Sequence, residues 1–202
     1  MKPRFITFEG IDGSGKSTVA GMVKRRLASI GFDVVLTREP TDSWLGEAAK
    51  RSSGRNGNPF TDLFLFMADR ADHTDRIKAW LKNGRTVLCD RYLDSTVAYQ
   101  GATMQPYLGR NALNWLQDIH EASSIRPDIT FFLRLDPETA MGRISGRSRR
   151  IKFEHEGFLR KVDKNYAIIA RREKRFVTID ASLPVEEVVS IAFDRITNKM
   201  VK

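Results

Sequence analysis

The segment from Gly10 to Ser17 has the residue types and spacing of a phosphate-binding loop, because it satisfies the pattern G-x-x-x-x-G-K-[ST]. In such a loop the glycines let backbone N–H groups converge on phosphate oxygens, and the N-terminus of the next helix adds partial positive charge. Lys16 is expected to reach the outer phosphates, and the Ser17 hydroxyl is expected to hold Mg²⁺. The alternative is a chance glycine turn. It is disfavoured because residues 5–8 predict a buried strand and residues 17–30 predict a helix.

An acid and a base follow each other where the apolar run 87–89 ends. Asp90 is predicted to lie beside Mg²⁺, usually through water; the alternative is an ordinary turn cap. Arg91 keeps its charge and binds phosphate with two N–H groups, which suits a clamp on a phosphate that bridges donor and acceptor. For Arg91 the alternative is a surface salt bridge to Asp90 or Asp94.

Polar side chains at helical spacing come next in the sequence. Ser95 with Tyr99, and Thr96 with Gln100, form two i,i+4 pairs that are typical of a hydrogen-bonding wall, although a solvated helix has the same spacing. On an earlier helix, Phe66 and Arg70 are also i,i+4 partners, a geometry suited to stacking and hydrogen-bonding a planar base. By periodicity alone, a core position for Phe66 stays open.

These residues need a scaffold that brings strand ends together. Strands are predicted at residues 5–8, 33–37, 86–90, 129–135 and 176–180, and helices at 17–30, 61–81, 94–100, 110–123, 137–144, 154–172 and 184–197. Strands alternating with helices predict an α/β fold with three layers, a parallel sheet covered by helices on both faces. Arg38-Glu39-Pro40 closes the second strand and is expected to be extended, since Pro40 disfavours a helical Glu39.

Length and composition limit the class of protein. The 202 residues suit one domain, with a net charge of +9 and a single cysteine, Cys89, predicted to be a buried thiol. No apolar run approaches the length of a membrane span, and no export signal is visible, so a cytoplasmic protein without a membrane partner is expected. His73, His120 and His155 lack metal-ligand spacing and are expected to be structural or at the surface.

Basic residues concentrate between Arg143 and Arg175, where twelve Lys or Arg stand against four Asp or Glu. Nucleic-acid binding would produce such a segment, but so would a mobile arm that closes over polyphosphate. Aromatic residues are not interleaved as a single-strand platform requires, so no nucleic-acid partner is expected. Residues 160–175 are predicted to be a solvated helix face. Phosphate contact is predicted for the four arginines Arg143, Arg147, Arg149 and Arg150.

Taken together, the ordered motifs resemble the thymidylate (dTMP) kinase family. They are 8–18, Arg38-Glu39-Pro40, Ala68-Asp69-Arg70, Asp90-Arg91-Tyr92, Ser95 with 98–101, Pro127-Asp128 and Asp180-Ala181. The resemblance implies an ATP-dependent phosphorylation of dTMP to dTDP on the route to dTTP, with Mg²⁺, in a homodimer. It also implies the P-loop NTPase fold, a five-stranded parallel sheet in a single kinase domain over residues 1–202, with a basic lid loop at about 146–153.

Site residues follow from the resemblance position by position. Asp12 would contact the sugar 3′-hydroxyl, Phe66 would stack on thymine, Arg70 would bond its carbonyl, Thr96 would meet the base edge and Tyr99 would crowd the 2′ position. The implied ATP-binding set is Gly10, Ile11, Asp12, Gly13, Ser14, Gly15, Lys16, Ser17, Thr18 and Arg143. The implied dTMP-binding set is Asp12, Arg38, Glu39, Phe66, Arg70, Arg91, Ser95, Thr96, Tyr99 and Gln100, and the implied catalytic set is Lys16, Arg91, Arg147, Arg149 and Arg150.

The chain departs from the family pattern at three places. Gly13 stands where one branch carries a catalytic arginine, so the lid arginines are expected to supply that charge. The usual Asp-Arg of the lid is Ile151-Lys152, the usual Gly-Gly-Thr after Pro40 is replaced by 41–43, and the loop 51–58 is atypical.

Two other functions stay open at this stage. One is a kinase for another acceptor, such as dUMP, a different monophosphate or a deoxynucleoside, since a single methyl group discriminates by only about 1–3 kcal/mol. The other is a P-loop switch or a nucleic-acid-stimulated ATPase. A GTPase would carry an Asn-Lys-x-Asp motif, whereas the only Asn-Lys is Asn198-Lys199 near the end of the sequence.

Overall fold

The computed structural model describes residues 3–53, 57–144 and 156–200. Within them, five parallel strands form one sheet in the order β2-β3-β1-β4-β5. Their bounds are β1 Phe5–Glu9, β2 Val34–Arg38, β3 Thr86–Asp90, β4 Ile129–Arg134 and β5 Phe176–Asp180. The predicted five-stranded parallel sheet is confirmed, and each strand lies within one residue of its predicted bounds.

Helices connect the strands and cover the sheet. They are α1 Lys16–Ser29, α2 Trp44–Ser53, α3 Pro59–Lys82, α4 Leu93–Leu108, α5 Ala112–Glu121, α6 Pro137–Ile144, α7 Glu156–Arg172 and α8 Val185–Met200. Helices α1 and α8 pack on each other, and α3, α4 and α7 pack in a row. Right-handed crossovers place these two groups on opposite faces, because the chain moves one way along the sheet through α1 and the other way through α3, α4 and α7. Within the described ranges, no helix is both long and apolar enough to cross a membrane.

Two helices differ from the sequence prediction. No helix is predicted between β2 and α3, yet α2 forms there and includes residues 51–53 of the predicted polar loop. The prediction is wrong because α2 buries the small residues Gly46, Ala49 and Ser53 and exposes Trp44, so apolar periodicity does not mark it. Helix α4 continues to Leu108 rather than ending at Gln100, and a short 3₁₀ turn separates it from α5.

The basic segment 160–175 is not a uniformly solvated helix face. Helix α7 ends at Arg172, and the side chain of Arg175 beyond it is only 10% exposed. Its guanidinium donates two hydrogen bonds to the Asp94 carboxylate, both at 2.7 Å. A buried bidentate pair of this kind ties β5 to α4 and reflects tertiary packing, which sequence spacing does not reveal.

The central strands carry the core. β1 is buried along its whole length, and β3 and β4 are buried except at their last residues, as expected for a parallel sheet covered on both sides. Cys89 is a buried thiol, as predicted. His73 and His120 are also buried, and their contacts belong to the site described below. His155 lies outside the described residues.

Sheet register brings three chain segments to one edge. Phe8 of β1 and Arg38 of β2 both pair with Asp90 of β3, so the loops that follow these strands leave the sheet side by side. Those loops begin at Gly10, Glu39 and Arg91, which all belong to the predicted site. Open parallel sheets bind ligands at this edge. The predicted lid, residues 146–153, with Arg147, Arg149 and Arg150, lies outside the described residues.

Candidate active site

The predicted phosphate loop connects β1 to α1 and is packed tightly on its surroundings. Gly10 and Gly13 have positive φ values of 144° and 84°, which residues other than glycine rarely adopt. A Cβ on Gly10 would lie 2.5 Å from the Leu133 carbonyl oxygen, and one on Gly13 would lie 2.5 Å from the Ala140 carbonyl oxygen. The glycines therefore let the loop approach the end of β4 and helix α6 backbone to backbone.

Lys16 is the first residue of α1 and is almost fully buried. Its Nζ donates to the Ile11 carbonyl oxygen at 2.8 Å, and the Ser14 hydroxyl oxygen lies 3.5 Å away. Burial, followed by the positive charge of Arg91, lowers the pKa of Lys16 to about 8. An anion beside this ammonium would favour its charged form and raise that pKa again.

A cavity of about 430 Å³ opens above the loop. It is lined by residues 12–19, Asp90, Arg91 and Arg143, and by Ala181, Leu183, Val185 and Val188. Of the predicted ATP-binding residues, Gly10 and Ile11 are buried and do not line it, whereas the other eight do. Both terminal nitrogens of Arg143 lie 3.3 Å from the Ala181 carbonyl oxygen.

One wall of this cavity was not predicted. Leu183, Val185 and Val188 come from the turn after β5 and the start of α8. The only sequence signal for them is their position just beyond Asp180-Ala181. An apolar wall beside a phosphate loop suits a flat nucleobase, whereas the loop itself suits phosphates.

Ser17 and Asp90 meet at the mouth of the same cavity, where the Ser17 hydroxyl donates to Asp90 Oδ2. The second carboxylate oxygen, Oδ1, is buried and has no hydrogen-bond partner among the described residues. Hard oxygen ligands of this kind suit Mg²⁺. The described residues contain no cluster of three or more His, Cys, Asp or Glu able to enclose a metal ion, so phosphate and water would complete the coordination.

Arg91 follows β3 with φ at 68°, an uncommon backbone conformation for a residue with a side chain. Its guanidinium donates to Asp12 Oδ1, to Ser95 Oγ at 3.2 Å and to the Gly10 carbonyl oxygen at 3.5 Å. The partner is thus Asp12, and neither Asp90 nor Asp94 forms an ion pair with Arg91. Burial opposes ionisation of Asp12, but Arg91 and Lys16 outweigh it and lower the pKa of that carboxyl.

A second cavity, of about 220 Å³, lies on the other side of Arg91. It is lined by Asp12, Glu39, Pro40, Lys50, Ser53, Phe66, Arg70, Arg91, Tyr92, Ser95, Thr96, Tyr99 and Gln100. Nine of the ten predicted acceptor-site residues line it. The exception is Arg38, whose exposed side chain pairs with Asp42 at 2.7 Å and lines a neighbouring cleft with Ser17 and Asp90.

Arg70 is the most deeply held cation in this second cavity, with 1% of its surface exposed. Its Nε and Nη2 donate to Glu39 Oε2 at 2.9 and 2.6 Å, and Nη2 also donates to Thr96 Oγ1 at 2.8 Å. Phe66, one turn earlier on α3, lines the same cavity. The predicted sharing of one helix face by Phe66 and Arg70 is therefore confirmed.

Two buried histidines hold Arg70 and its partner Glu39 in place. The sequence did not predict these histidine contacts. The other Glu39 oxygen, Oε1, lies 2.9 Å from His73 Nδ1, and His73 Nε2 lies 2.8 Å from Thr37 Oγ1. On the opposite side, His120 Nδ1 lies 3.4 Å from Arg70 Nη1. Burial and the nearby Arg70 charge lower the pKa of His120 to about 2, so its ring is neutral and accepts the arginine N–H.

Helix α4 supplies the remaining wall of the second cavity. The Tyr99 hydroxyl accepts from the Asp12 backbone N–H at 3.0 Å and donates to Asp12 Oδ2 at 3.1 Å, which joins this wall to the phosphate loop. Gln100 is 2% exposed, and its Oε1 has no hydrogen-bond partner among the described residues. A buried amide oxygen beside a cavity is an acceptor site for a polar ligand.

The unusual residues 41–43 anchor the loop after β2. Asp69, directly before Arg70, accepts from the Thr41 backbone N–H at 2.8 Å and from the hydroxyls of Thr41 and Ser43 at 2.5 and 3.0 Å. Asp69 is 1% exposed, so these bonds satisfy a carboxylate that is otherwise costly to bury. The departure from the family pattern therefore has a structural role here.

Comparison with known proteins identifies the family of this chain. The sequence model of the family described as thymidylate kinase matches residues 8–191. A probable thymidylate kinase of Methanosarcina mazei is 43% identical over 191 residues, which cover 93% of this chain and 92% of that protein. Probable thymidylate kinases of Methanoculleus marisnigri and Halobacterium salinarum are 44% and 42% identical, over 91% and 93% of this chain and 89% and 92% of theirs. The chain therefore belongs to the thymidylate kinase family and is a phosphotransferase.

Proposed function

We propose that this chain transfers the γ-phosphoryl group of ATP directly to a phosphate oxygen of dTMP, giving ADP and dTDP, and that it acts as one kinase domain. The observation that carries the proposal is the pair of cavities joined by Asp12 and Arg91, which line both. One cavity has the chemistry of a phosphate loop, and the other has an aromatic ring and a buried arginine suited to a base. The transferring group would lie between them.

On the donor side, the loop backbone and Lys16 would bind the β- and γ-phosphates of ATP. Ser17 and Asp90 are the residues that would hold Mg²⁺, and the orphaned Asp90 Oδ1 supports this role. When bound, the ion would neutralise charge on the phosphates. The apolar residues Leu183 and Val185 would contact the adenine, with Arg143 nearby.

Phosphoryl transfer needs little covalent participation by the protein, since positioning and charge stabilisation provide most of the catalysis. Arg91 is placed for this because it borders both cavities, while Asp12, Ser95 and the Gly10 carbonyl oxygen hold its guanidinium. It would grip the dTMP phosphate and stabilise charge on the transferring group. The residues Arg147, Arg149 and Arg150 are proposed to add positive charge from the lid.

Base and sugar recognition would come from the second cavity. Phe66 would stack on the thymine ring, while Arg70, Thr96 and Gln100 offer hydrogen-bonding groups for its polar edges. Because Glu39 and His120 fix the Arg70 guanidinium, its direction is set before the base arrives, which lowers the entropic cost of binding. Tyr99 would crowd a 2′-hydroxyl, and Asp12 would meet the 3′-hydroxyl.

The decisive experiment measures ADP release with Mg-ATP and a panel of acceptors. The panel is dTMP, dUMP, dCMP, dGMP, the ribonucleotide ribothymidine monophosphate, thymidine and a control without acceptor. Strong preference for dTMP supports the proposal, and a preference for dUMP would assign the other acceptor. ADP release that is indifferent to every acceptor, or that responds to added DNA, would refute it. Lys16→Ala should lower kcat by orders of magnitude without changing the circular dichroism spectrum. Near-normal turnover in that variant would refute the proposed kinase activity.

We further propose that two copies of the chain form a homodimer through an exposed apolar surface formed by α3 and the end of α4. Phe64 and Tyr107 are 57% and 62% exposed, and the Tyr107 ring packs on Phe60 at 5.7 Å between centroids. Phe60 and Phe64 are one turn apart on α3, so the three rings form one surface. Sedimentation analysis should find a dimer for the wild type and a monomer for Phe64→Glu. Arg25→Glu, at an exposed position of α1 on the opposite face of the sheet, should stay dimeric.

A further inference from the structure

Glu9 is the last residue of β1 and directly precedes the phosphate loop, and its side chain is completely buried. Nothing in the proposed transfer reaction uses it. Its carboxylate accepts from the Tyr92 backbone N–H at 2.8 Å through Oε1, and from the Ser95 hydroxyl at 2.5 Å and the Tyr166 hydroxyl at 3.0 Å through Oε2. Three hydrogen-bond donors, two from the start of α4 and one from α7, therefore meet on one buried acid.

The Ser95 hydroxyl connects this acid to Arg91. A hydroxyl has one proton to donate and two lone pairs that accept. Because the proton of Ser95 goes to Glu9, a lone pair of Ser95 faces Arg91 Nη1, which donates to it at 3.2 Å. The guanidinium is thus held by Asp12 on one side and by Ser95 on the other.

We propose that ionised Glu9 is a positioning residue for Arg91 and acts through Ser95. The carboxylate accepts the hydrogen bond that the Ser95 hydroxyl donates, and so fixes Ser95 as the acceptor that orients the guanidinium. This inference rests on the proposed role of Arg91 at the acceptor phosphate. Glu9 itself touches no substrate. A neutral carboxylic acid has to donate its own proton. Donation to Ser95 takes one of the two lone pairs and releases the Ser95 O–H from Glu9, so the hydroxyl is no longer fixed with a lone pair toward Arg91.

Tyr166 brings α7 into the same arrangement. Its hydroxyl lies 2.9 Å from Ser95 Oγ as well as 3.0 Å from Glu9 Oε2, and its ring stacks on Phe132 with centroids 5.2 Å apart. The stacked ring gives the hydroxyl a fixed position beside the acid. Tyr166→Phe removes this donor and leaves both Glu9 and the ring stacking in place, so it is a milder variant than a change at Glu9.

The surroundings of Glu9 bring its titration into the neutral range. Burial, followed by the negative charge of Asp94 on α4, raises the pKa of Glu9 to about 7, although Ser95, Arg91 and Tyr92 act in the opposite direction. The other titratable or charged groups that face it from neighbouring elements are Lys16, Arg70, Cys89, Tyr166 and Arg175. Both protonation states of Glu9 are therefore accessible between pH 6 and pH 8.

Steady-state kinetics of Glu9→Gln tests the inference. Glutamine keeps the shape but either donates N–H to Ser95 or turns its amide against the Tyr92 N–H, so the orientation of Arg91 is lost. At pH 8, kcat should fall roughly 10–100-fold, the effect of one hydrogen bond to a charged group, with a much smaller change in KM for ATP. Ser95→Ala should lose a similar factor, and the double variant Glu9→Gln/Ser95→Ala should be no slower than Ser95→Ala. Multiplying losses would overturn the inference.

A pH profile separates this role from a merely structural one. The ratio of wild-type to Glu9→Gln kcat should rise from pH 6 to pH 8, whereas substrate phosphates, which titrate near pH 6, affect both enzymes alike. The same rise is expected in the ratio of wild type to Ser95→Ala, which keeps the test valid if Glu9→Gln fails to fold. A constant ratio would overturn the inference alone. A wild type that does not phosphorylate dTMP would instead refute the proposed function.

Discussion

Gly13 lies so close to helix α6 that even a methyl group should disturb the 430 Å³ cavity above the phosphate loop, which is the proposed ATP site and is called the donor cavity below. Its φ is 84°, in the left-handed region, and a Cβ there would lie 2.5 Å from the Ala140 carbonyl oxygen and 3.1 and 3.2 Å from two further Ala140 backbone atoms. These neighbours are main-chain atoms, which cannot rotate away as the end of a flexible side chain can. Gly13→Ala therefore has to move either the loop or α6.

Two effects set the size of the loss. An L-residue in the left-handed region costs about 1–2 kcal/mol, and forcing extra volume into a packed region costs about 1–3 kcal/mol. Gly13→Ala should thus lower the free energy of unfolding by about 2–5 kcal/mol. Gly84 is the matched control, because its φ is 79° and a Cβ there meets nothing within 4 Å. Gly84→Ala should lose only the backbone part, about 1–2 kcal/mol.

Urea denaturation of the wild type and both variants measures these losses, and kinetics locates the displacement. Helix α6 carries Arg143, which lines the donor cavity, so Gly13→Ala should raise KM for ATP more than KM for dTMP. Gly84→Ala should change neither. If Gly13→Ala loses no more stability than Gly84→Ala, or if its KM for ATP is unchanged, α6 does not approach the loop as closely as described.

Three further predictions follow from buried charges. Arg70→Met leaves the Glu39 carboxylate buried without its cation and should lower the free energy of unfolding by about 3–5 kcal/mol, most of it restored by adding Glu39→Gln; a loss that Glu39→Gln does not reduce would contradict the pairing. The pKa of Glu9 is raised from 4.5 to about 7 in the fold. The free energy of unfolding of the wild type, measured relative to that of Glu9→Gln, should therefore be highest below pH 4.5. It should fall by about 3 kcal/mol as the pH rises from 4.5 through 7, because the folded state holds the Glu9 proton more tightly than the unfolded state does. Denaturation at pH 4.5 and pH 8 checks this, and a constant difference would contradict it. Finally, EDTA should abolish ADP release and Asp90→Asn should raise the Mg²⁺ concentration for half-maximal activity, whereas an unchanged requirement would remove Asp90 from the metal site.

The sequence predicts those parts of the site that are local in the chain. The phosphate loop is contiguous, and strand and helix periodicity surround it, so its geometry follows from a dozen neighbouring residues. The pairs Phe66–Arg70 and Ser95–Tyr99 are also local, since helical spacing alone puts each pair on one face. The sheet order brings these local units together, and the strand–helix alternation predicts only that the sheet is parallel.

What the sequence misses depends on partners far apart in the chain. Arg70 meets Glu39 and His120 across separations of 31 and 50 residues, and Glu9 meets Tyr166 across 157. No spacing rule links such positions, so Glu9 appears in the sequence only as the acid before a glycine. Helix α2 is missed for a different reason: it packs through small residues, which carry no hydrophobic periodicity.

The same close packing bears on where catalytic charge comes from. An arginine at position 13 would begin with the Cβ that α6 excludes, so this chain cannot carry loop-borne charge there without moving that helix. Among the described residues, the cations lining the donor cavity are Lys16, Arg91 and Arg143, and the last of these is bonded to the Ala181 carbonyl oxygen. Lys16 and Arg91 also belong to the phosphate and acceptor contacts. We therefore propose that additional positive charge on the transferring group comes from the predicted lid, residues 146–153. Single alanine substitutions at Arg147, Arg149 and Arg150 should identify one position where kcat falls about 10³-fold or more; three near-neutral substitutions would leave catalysis to Lys16 and Arg91.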